Sequence, residues 1–185
     1  MTAHVLVAEV IDAMELTQLP YLLAGSFSSN LYGIPRVTVD ADFVIEKSAG
    51  SMAQLMKTLG PRFKRDPQIT FETVTGTIRH MVRITDSDFK LEVFELSQDA
   101  HDQRRFERRV RVHSITLGRL VYFPTPEDVI VTKLRWARNK DRDDVAAVIG
   151  VQGNAIDWDY VHHWTEQHGT RKLLDEIRAT IPQID

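Results

Sequence analysis

The sequence contains no cysteine, which excludes disulfides, thiolate catalysis and cysteine-ligated zinc. It also lacks any apolar run approaching the roughly 20 residues that a membrane helix needs. Charge of one dominant sign is missing too: 23 Lys and Arg against 26 Asp and Glu leave a net charge of −3, so the chain as a whole is no generic polyanion binder. There is no internal repeat and no low-complexity stretch. The N-terminal segment carries Glu9, Asp12 and Glu15 without a basic cluster, so it does not read as a secretory signal, and a cytoplasmic location is the expectation. What is present is ordinary for a globular protein: 43% hydrophobic and 26% charged residues over 185 positions. That length allows one domain, or one domain with a helical appendage.

The informative stretch runs from Tyr21 to Glu46. Tyr21, Leu22, Leu23 and Ala24 form a short apolar run that reads as a strand. It breaks at Gly25-Ser26, and a helix is expected to follow until Pro35, because the residue before a proline is pushed out of the α region. A second strand then carries Asp40 and Asp42. Residues two apart on a strand share a face, so both aspartates point one way, with Val39, Ala41, Phe43 and Ile45 forming the apolar opposite face. Adjacent carboxylates repel, and burial worsens the repulsion. A divalent cation resolves it, and hard oxygen ligands suit Mg²⁺, which takes one or two carboxylates plus substrate phosphates. Gly25 and Ser26, where a strand gives way to a helix, supply the complement: backbone N–H groups and the helix dipole favour a phosphate there. Cation ligands and an anion cradle in one short unit point to metal-assisted handling of a nucleoside triphosphate.

These residues resemble the nucleotidyltransferase superfamily, in which Gly-Ser is followed after a short spacer by Asp-x-Asp on the next strand. The finer pattern, Tyr32-Gly33-Ile34-Pro35-Arg36-Val37-Thr38-Val39-Asp40-Ala41-Asp42, is similar to the subgroup containing the AbiEii-type toxins. The resemblance covers roughly residues 18 to 150. It implies an α/β (α+β) fold, a nucleotidyltransferase-like mixed sheet with flanking helices and a helical C-terminal part. The division implied is a core over 1–125 and a helical part over 126–185 packed on it.

The remaining chain fits that frame. Residues 3 to 17 and Ser48 to Gly60 have helical periodicity, the second with Met52, Leu55, Met56 and Leu59 as its stripe and Ser48 or Ser51 as its cap. Phe71 to Val74, Met81 to Ile84 and Phe89 to Leu96 are candidate strands. The resemblance implies a third carboxylate on the last of these, and Glu92 is the match, although aspartate is the commoner residue there. Arg104, Arg105, Arg108, Arg109 and Arg111 form a basic run, the patch that would meet RNA if RNA is the acceptor. Val110 to Ile115 and Leu120 to Phe123 read as a hairpin. Thr125-Pro126-Glu127-Asp128 opens a helix with a cap, proline at its first position and acid in its first turn. The resemblance extends to Pro126-Glu127-Asp128, to Lys133 and to Lys140-Asp141-Arg142-Asp143-Asp144. It implies that Lys133 contacts nucleotide phosphates and that Asp144 completes the active site; by spacing alone, Asp141 and Asp144 could equally hold Arg138, Lys140 or Lys133. Two polar helices follow, around Trp158 to Trp164 and Thr170 to Thr180, and His162, His163 and His168 do not make a metal set.

The function expected is Mg²⁺-dependent transfer of a nucleotidyl group from an NTP to an acceptor hydroxyl. Asp40, Asp42 and Glu92 would be the metal ligands at a site with room for two ions, Gly25 and Ser26 the phosphate cradle, and Arg36 and Lys133 the phosphate-neutralising cations. A tRNA or other RNA acceptor and a cognate antitoxin partner follow from the toxin-like resemblance. The alternatives are a non-catalytic nucleotide- or partner-binding relative and a small-molecule (antibiotic) nucleotidyltransferase.

Overall fold

A computed structural model of the chain describes residues 2–48 and 50–182. Its centre is a six-stranded mixed sheet in the order β1-β2-β6-β5-β3, with the short β4 also on β5. The strands are β1 (Tyr21–Leu23), β2 (Asp40–Ile45), β3 (Phe63–Arg65), β4 (Thr70–Glu72), β5 (Thr77–Ile84) and β6 (Ser87–Glu95). Only β2 and β6 run parallel; the other pairs are antiparallel. A separate hairpin joins β7 (Val110–Ser114) to β8 (Arg119–Phe123).

Period-two alternation decides what each face of the sheet meets. Leu23, Phe43, Ile45, Leu91 and Val93 point to one side. There they pack on Leu6, Val10, Ile11 and Met14 of α1 (Ala3–Leu16) and on Met52 and Leu55 of α3 (Ser51–Leu59). The opposite side carries Leu22, Val44 and Phe94, covered by Phe106 of α4 (Ala100–Glu107). Asp42 and Glu92 belong to this second side, each two residues from Val44 or Phe94. The aspartates are therefore excluded from the large core, as the alternation requires. Val39 is not part of the apolar face: it precedes the strand and is 70% exposed.

Several local expectations are corrected. No serine side chain caps α3; Gly50 stands at its N-cap with φ 84°, and Ser51 Oγ donates to the Ser48 carbonyl. β3 gives little periodic signal because only Phe63 is buried, beside exposed Lys64 and Arg65. β5 begins at Thr77 rather than Met81, its first half hidden by polar residues: Arg79 pairs with Glu92 and buried His80 with Glu95. The arginine-rich stretch begins as a helix, capped by Asp99, whose side chain accepts from the Asp102 N–H.

The helical part forms its own core. Thr125 caps α5 (Pro126–Trp136), and α6 (Asn139–Gln152), α7 (Trp158–Gln167) and α8 (Arg171–Thr180) follow. Val129, Ile130, Leu134, Val145, Val148, Val161, Leu174 and Ile177 are buried together. None of the described helices is long and apolar enough to cross a membrane. The bridge to the sheet is α2 (Gly25–Tyr32), which packs on both α5 and α6. At Gly33 an added Cβ would lie 3.0 Å from the Val148 amide nitrogen, so the missing side chain lets the end of α2 approach α6 closely.

That approach brings Asp144 of α6 against the sheet-side elements. Its carboxylate accepts from Arg36 Nε at 2.8 Å, Arg36 Nη2 at 3.0 Å and Ser29 Oγ at 3.1 Å, and Lys133 Nζ of α5 lies 2.8 Å away. Burial alone would raise this carboxyl. Hydrogen bonds from Arg36 and Lys133 outweigh it and bring the pKa from 3.8 down to about 2. A carboxyl depressed in the folded state stabilises the fold above its unfolded pKa, and that contribution is lost as pH falls through about 4 towards 2. At ~1.4 kcal/mol per unit the contribution is about 2 kcal/mol. Asp144→Asn should therefore flatten the acid-side fall in urea-unfolding stability by about that amount. An unchanged pH dependence would show that Asp144 does not carry it.

Candidate active site

The cleft lies between the second face of the sheet and the helices above it. It encloses about 150 Å³, and Gly25, Ser26, Asp40, Asp42, Glu92 and Lys133 all line it. Arg36 and Asp144 do not; they stand behind the lining. Eight residues singled out from sequence thus fall into six at the cleft and two that support it.

Gly25 has a role that sequence reasoning did not foresee. Its φ is +58°, a region that disfavours side chains, and a Cβ built there would lie 1.8 Å from Asp42 Oδ2. The glycine is required by the aspartate as well as by anything bound above it. Ala24 occupies the N-cap of α2 and offers no side-chain cap. The first N–H groups of the helix consequently keep their donor capacity at the cleft wall. The Ala24 amide itself donates to the Asp42 carbonyl at 2.8 Å, tying helix start to strand.

The acidic side follows from strand register. Asp42 pairs with Glu92 and Asp40 with Lys90 across the parallel β2–β6 ladder, so Glu92 sits beside Asp42 on the same face. Asp42 is half-buried. Its pKa is pushed up to about 7, first by withdrawal from water and then by the charges of Glu92 and Asp40, against the opposing pull of Lys133 and Lys140. Two neighbours hold the other carboxylates. Thr38 Oγ1 donates to Asp40 Oδ1 at 2.8 Å, and Arg79 Nη1 donates to Glu92 Oε2 at 3.1 Å. Among the described residues, no three His, Cys, Asp or Glu side chains already surround a point that could hold a metal ion. The donor chemistry nevertheless suits a hard cation: carboxylate oxygens, crowded enough that one holds its proton near neutrality.

The basic side is built on α5 and α6. Lys133 is 7% exposed and lies 3.2 Å from Asp141 Oδ1 as well as 2.8 Å from Asp144. Asp141 is fully buried and also accepts from Arg138 Nε at 2.6 Å. The pairs expected at the surface around Asp141 and Asp144 are thus interior ones. Arg138 stacks over Trp136 with 5.0 Å to the ring centroid, and both line the cleft. Arg79, Arg138, Trp136 and Thr38 were not singled out as site residues from sequence. Thr38 lay inside the quoted motif, whereas nothing in the sequence distinguishes Arg79 from any strand arginine.

The basic run does not form one patch. Arg105 is buried against Asp102 and Thr132, Arg108 lies 3.9 Å over the Tyr160 ring and pairs with Glu127, and Arg109 stacks on Phe106. Arg104 pairs with Glu107 and Arg111 with Glu15. Each guanidinium has an internal partner, so the expected RNA-facing surface is corrected to a set of structural contacts. Among the histidines, His168 stacks on Trp164 and His162 faces Arg178.

Comparison with known proteins fits this geometry. The family model described as a nucleotidyltransferase of unknown function (DUF6036) matches residues 6–180. The match takes in the C-terminal helices, which the motif resemblance had left outside. No curated protein matches the sequence significantly. Among solved structures, the chain is similar to ANT(2'')-Ia in complex with adenylyl-2''-tobramycin (TM-score 0.63, 14% identity, 93% of this chain and 99% of that one). It is also similar to an antigenic nucleotidyltransferase-like protein from Paracoccidioides brasiliensis (0.56, 16%, 97% and 94%) and to JHP933 from Helicobacter pylori (0.52, 15%, 95% and 79%). At these identities the structures establish the fold, and the family model establishes kinship: the chain belongs to the nucleotidyltransferase family DUF6036 and is a transferase of that class.

Proposed function

We propose that the protein transfers a nucleotidyl group from an NTP to an acceptor hydroxyl with the help of a divalent cation, Mg²⁺ by its ligand chemistry. The observation that carries this reading is the contact of Gly25 with Asp42, which sets an uncapped helix start directly against the acidic pair. Asp40 and Asp42 would hold the cation, with Glu92 as the third carboxylate of a site able to take two ions. When bound, the cation supplies charge neutralisation for the triphosphate and the departing pyrophosphate.

The chain's own residues do the rest. Gly25 and Ser26 receive the phosphates at the N-terminus of α2. Lys133, aimed by Asp141 and Asp144, adds the positive charge that develops opposite the leaving group. The acceptor oxygen attacks the α-phosphorus, the bond to the bridging oxygen of pyrophosphate breaks, and the acceptor proton passes to a carboxylate, for which Glu92 is placed. Residues 1–125 would supply the metal and phosphate groups and residues 126–185 the lysine and its supports.

For the acceptor, the internal pairing of the basic run favours a small molecule over RNA, as does the enclosed cleft. The complex of ANT(2'')-Ia with adenylyl-2''-tobramycin shows this fold with such a product. A toxin-like role beside an antitoxin remains the reading that the AbiEii-type motif implies, and it would require RNA to be met by some other surface.

Three outcomes test these assignments. Asp40→Ala/Asp42→Ala should abolish label transfer from [α-³²P]NTP, a loss on the order of 10²-fold or more; transfer that survives the double substitution would remove the acidic pair from the chemistry. Gly25→Ala should displace Asp42 and cost about 1–2 kcal/mol of stability through its positive φ, with Mn²⁺-dependent NTP uptake falling in parallel by calorimetry. Wild-type uptake in that variant would contradict the contact. If RNA is bound, Arg104→Glu and Arg111→Glu should leave the salt dependence of its affinity unchanged; a shallower slope would restore the basic run as an RNA surface.

A further inference from the structure

Ser26 is buried, at 5% exposure, yet lines the cleft. Its Oγ accepts a hydrogen bond from Arg36 Nη2 at 2.9 Å, and among the described residues it donates to none. A hydroxyl has one proton and two lone pairs. With the guanidinium occupying a lone pair, the proton is directed away from Arg36. Arg36 is itself immobilised. Its Nε and Nη2 form a two-pronged pair with Asp144, and Asn30 clamps its backbone from both sides, Nδ2 donating to the Arg36 carbonyl at 2.7 Å and Oδ1 accepting from the Arg36 N–H at 3.0 Å. Arg36 is absent from the cleft lining, whereas Lys133 is part of it.

We propose that Arg36 is a positioning residue and not a phosphate ligand: anchored by Asp144, it fixes the Ser26 hydroxyl as a hydrogen-bond donor to a phosphoryl oxygen of the bound nucleotide. Asp144 then acts on two groups at once, aiming Lys133 directly and Ser26 through Arg36. This rests on the nucleotide reading of the cleft given above. It revises the sequence-based role of Arg36 as a neutralising charge and predicts that its charge matters less than its fork. A lysine in its place keeps the charge but cannot span Asp144 and Ser26 with one planar group.

The test is calorimetric titration of the full-length chain with each of the four ribonucleoside triphosphates and Mg²⁺, comparing wild type, Ser26→Ala, Arg36→Met, the double variant and Arg36→Lys. Ser26→Ala should weaken binding by about tenfold, the loss of one charge-assisted donor. Arg36→Met should match it. Because both remove the same interaction, the double variant should fall no more than about twofold further. Arg36→Lys should behave like Arg36→Met. Multiplied losses in the double variant, roughly a hundredfold, or affinity retained by Arg36→Lys, would show that Arg36 touches phosphate itself and would overturn the proposal. Should Arg36→Met fail to fold by its melting curve, Arg36→Lys with and without Ser26→Ala decides the matter by the same criterion. A wild-type chain that binds none of the four nucleotides would instead overturn the reading of the cleft, and this proposal with it.

Discussion

The structure is organised around a charge conflict. Parallel pairing of β2 with β6 puts Asp42 beside Glu92, and the two-residue period of the strand puts Asp40 on the same face. Three carboxylates so placed resist full ionisation, which is why Asp42 is pushed up to about 7. A fold that merely needed a soluble strand face would gain nothing from the arrangement; serine or threonine would satisfy the backbone and the solvent at less cost. The crowding is coherent as one half of a device whose other half is a positive ligand. Gly25 confirms that the elements are fitted to one another, since its absent side chain is the space that Asp42 occupies.

A second charge cluster holds the two halves of the chain together. Asp144 and Asp141 belong to the helical core, Arg36 to the connection between α2 and β2, and Lys133 to α5. Buried ion pairs are weak evidence for stability, because desolvation consumes much of the attraction, but removing one partner leaves an uncompensated charge and is costly. What such a cluster gives is geometry. Lys133 has two carboxylates on it and therefore little freedom, and the Asp144 carboxylate is shared among Arg36, Ser29 and Lys133. The apolar cores on either side supply the rigidity that lets the polar joint stay satisfied.

How much of this was legible beforehand depends on whether the signal was local. The Gly25-Ser26 turn, the Asp40/Asp42 strand and the capped start of α5 are written in contiguous residues, and all appear where the spacing places them. β3 and the first half of β5 were not legible, because their residues answer to partners across the sheet and not to their neighbours in sequence. His80 reads as an interruption until Glu95 is beside it. The arginine run misled for the same reason. Five arginines in eight positions look like a surface field, but α4 and β7 turn them to different partners, and Arg105 disappears into the interior. Arg36 was legible as part of a motif, while its partner, 108 positions away, was not legible as its partner.

These distant pairings bear on how the cleft would accept a triphosphate. Every cation near the acids is already engaged: Lys133 with Asp141 and Asp144, Arg138 with Asp141, Arg79 with Glu92. A polyanion entering an array of free lysines would be held by charge alone, with little orientation and strong screening by salt. Entering this array it meets donors whose directions are fixed by their carboxylate partners, so the ordering cost has been met in folding rather than at binding. The same pairing keeps the cleft's basic groups compensated when no nucleotide is present, in an interior where an unpaired lysine would be costly. The carboxylates of α6 and those of β2 thus divide the work: the first set holds cationic side chains in place, and the second set is left under-neutralised so that, on the proposed reading, the metal arrives with the nucleotide and completes the balance.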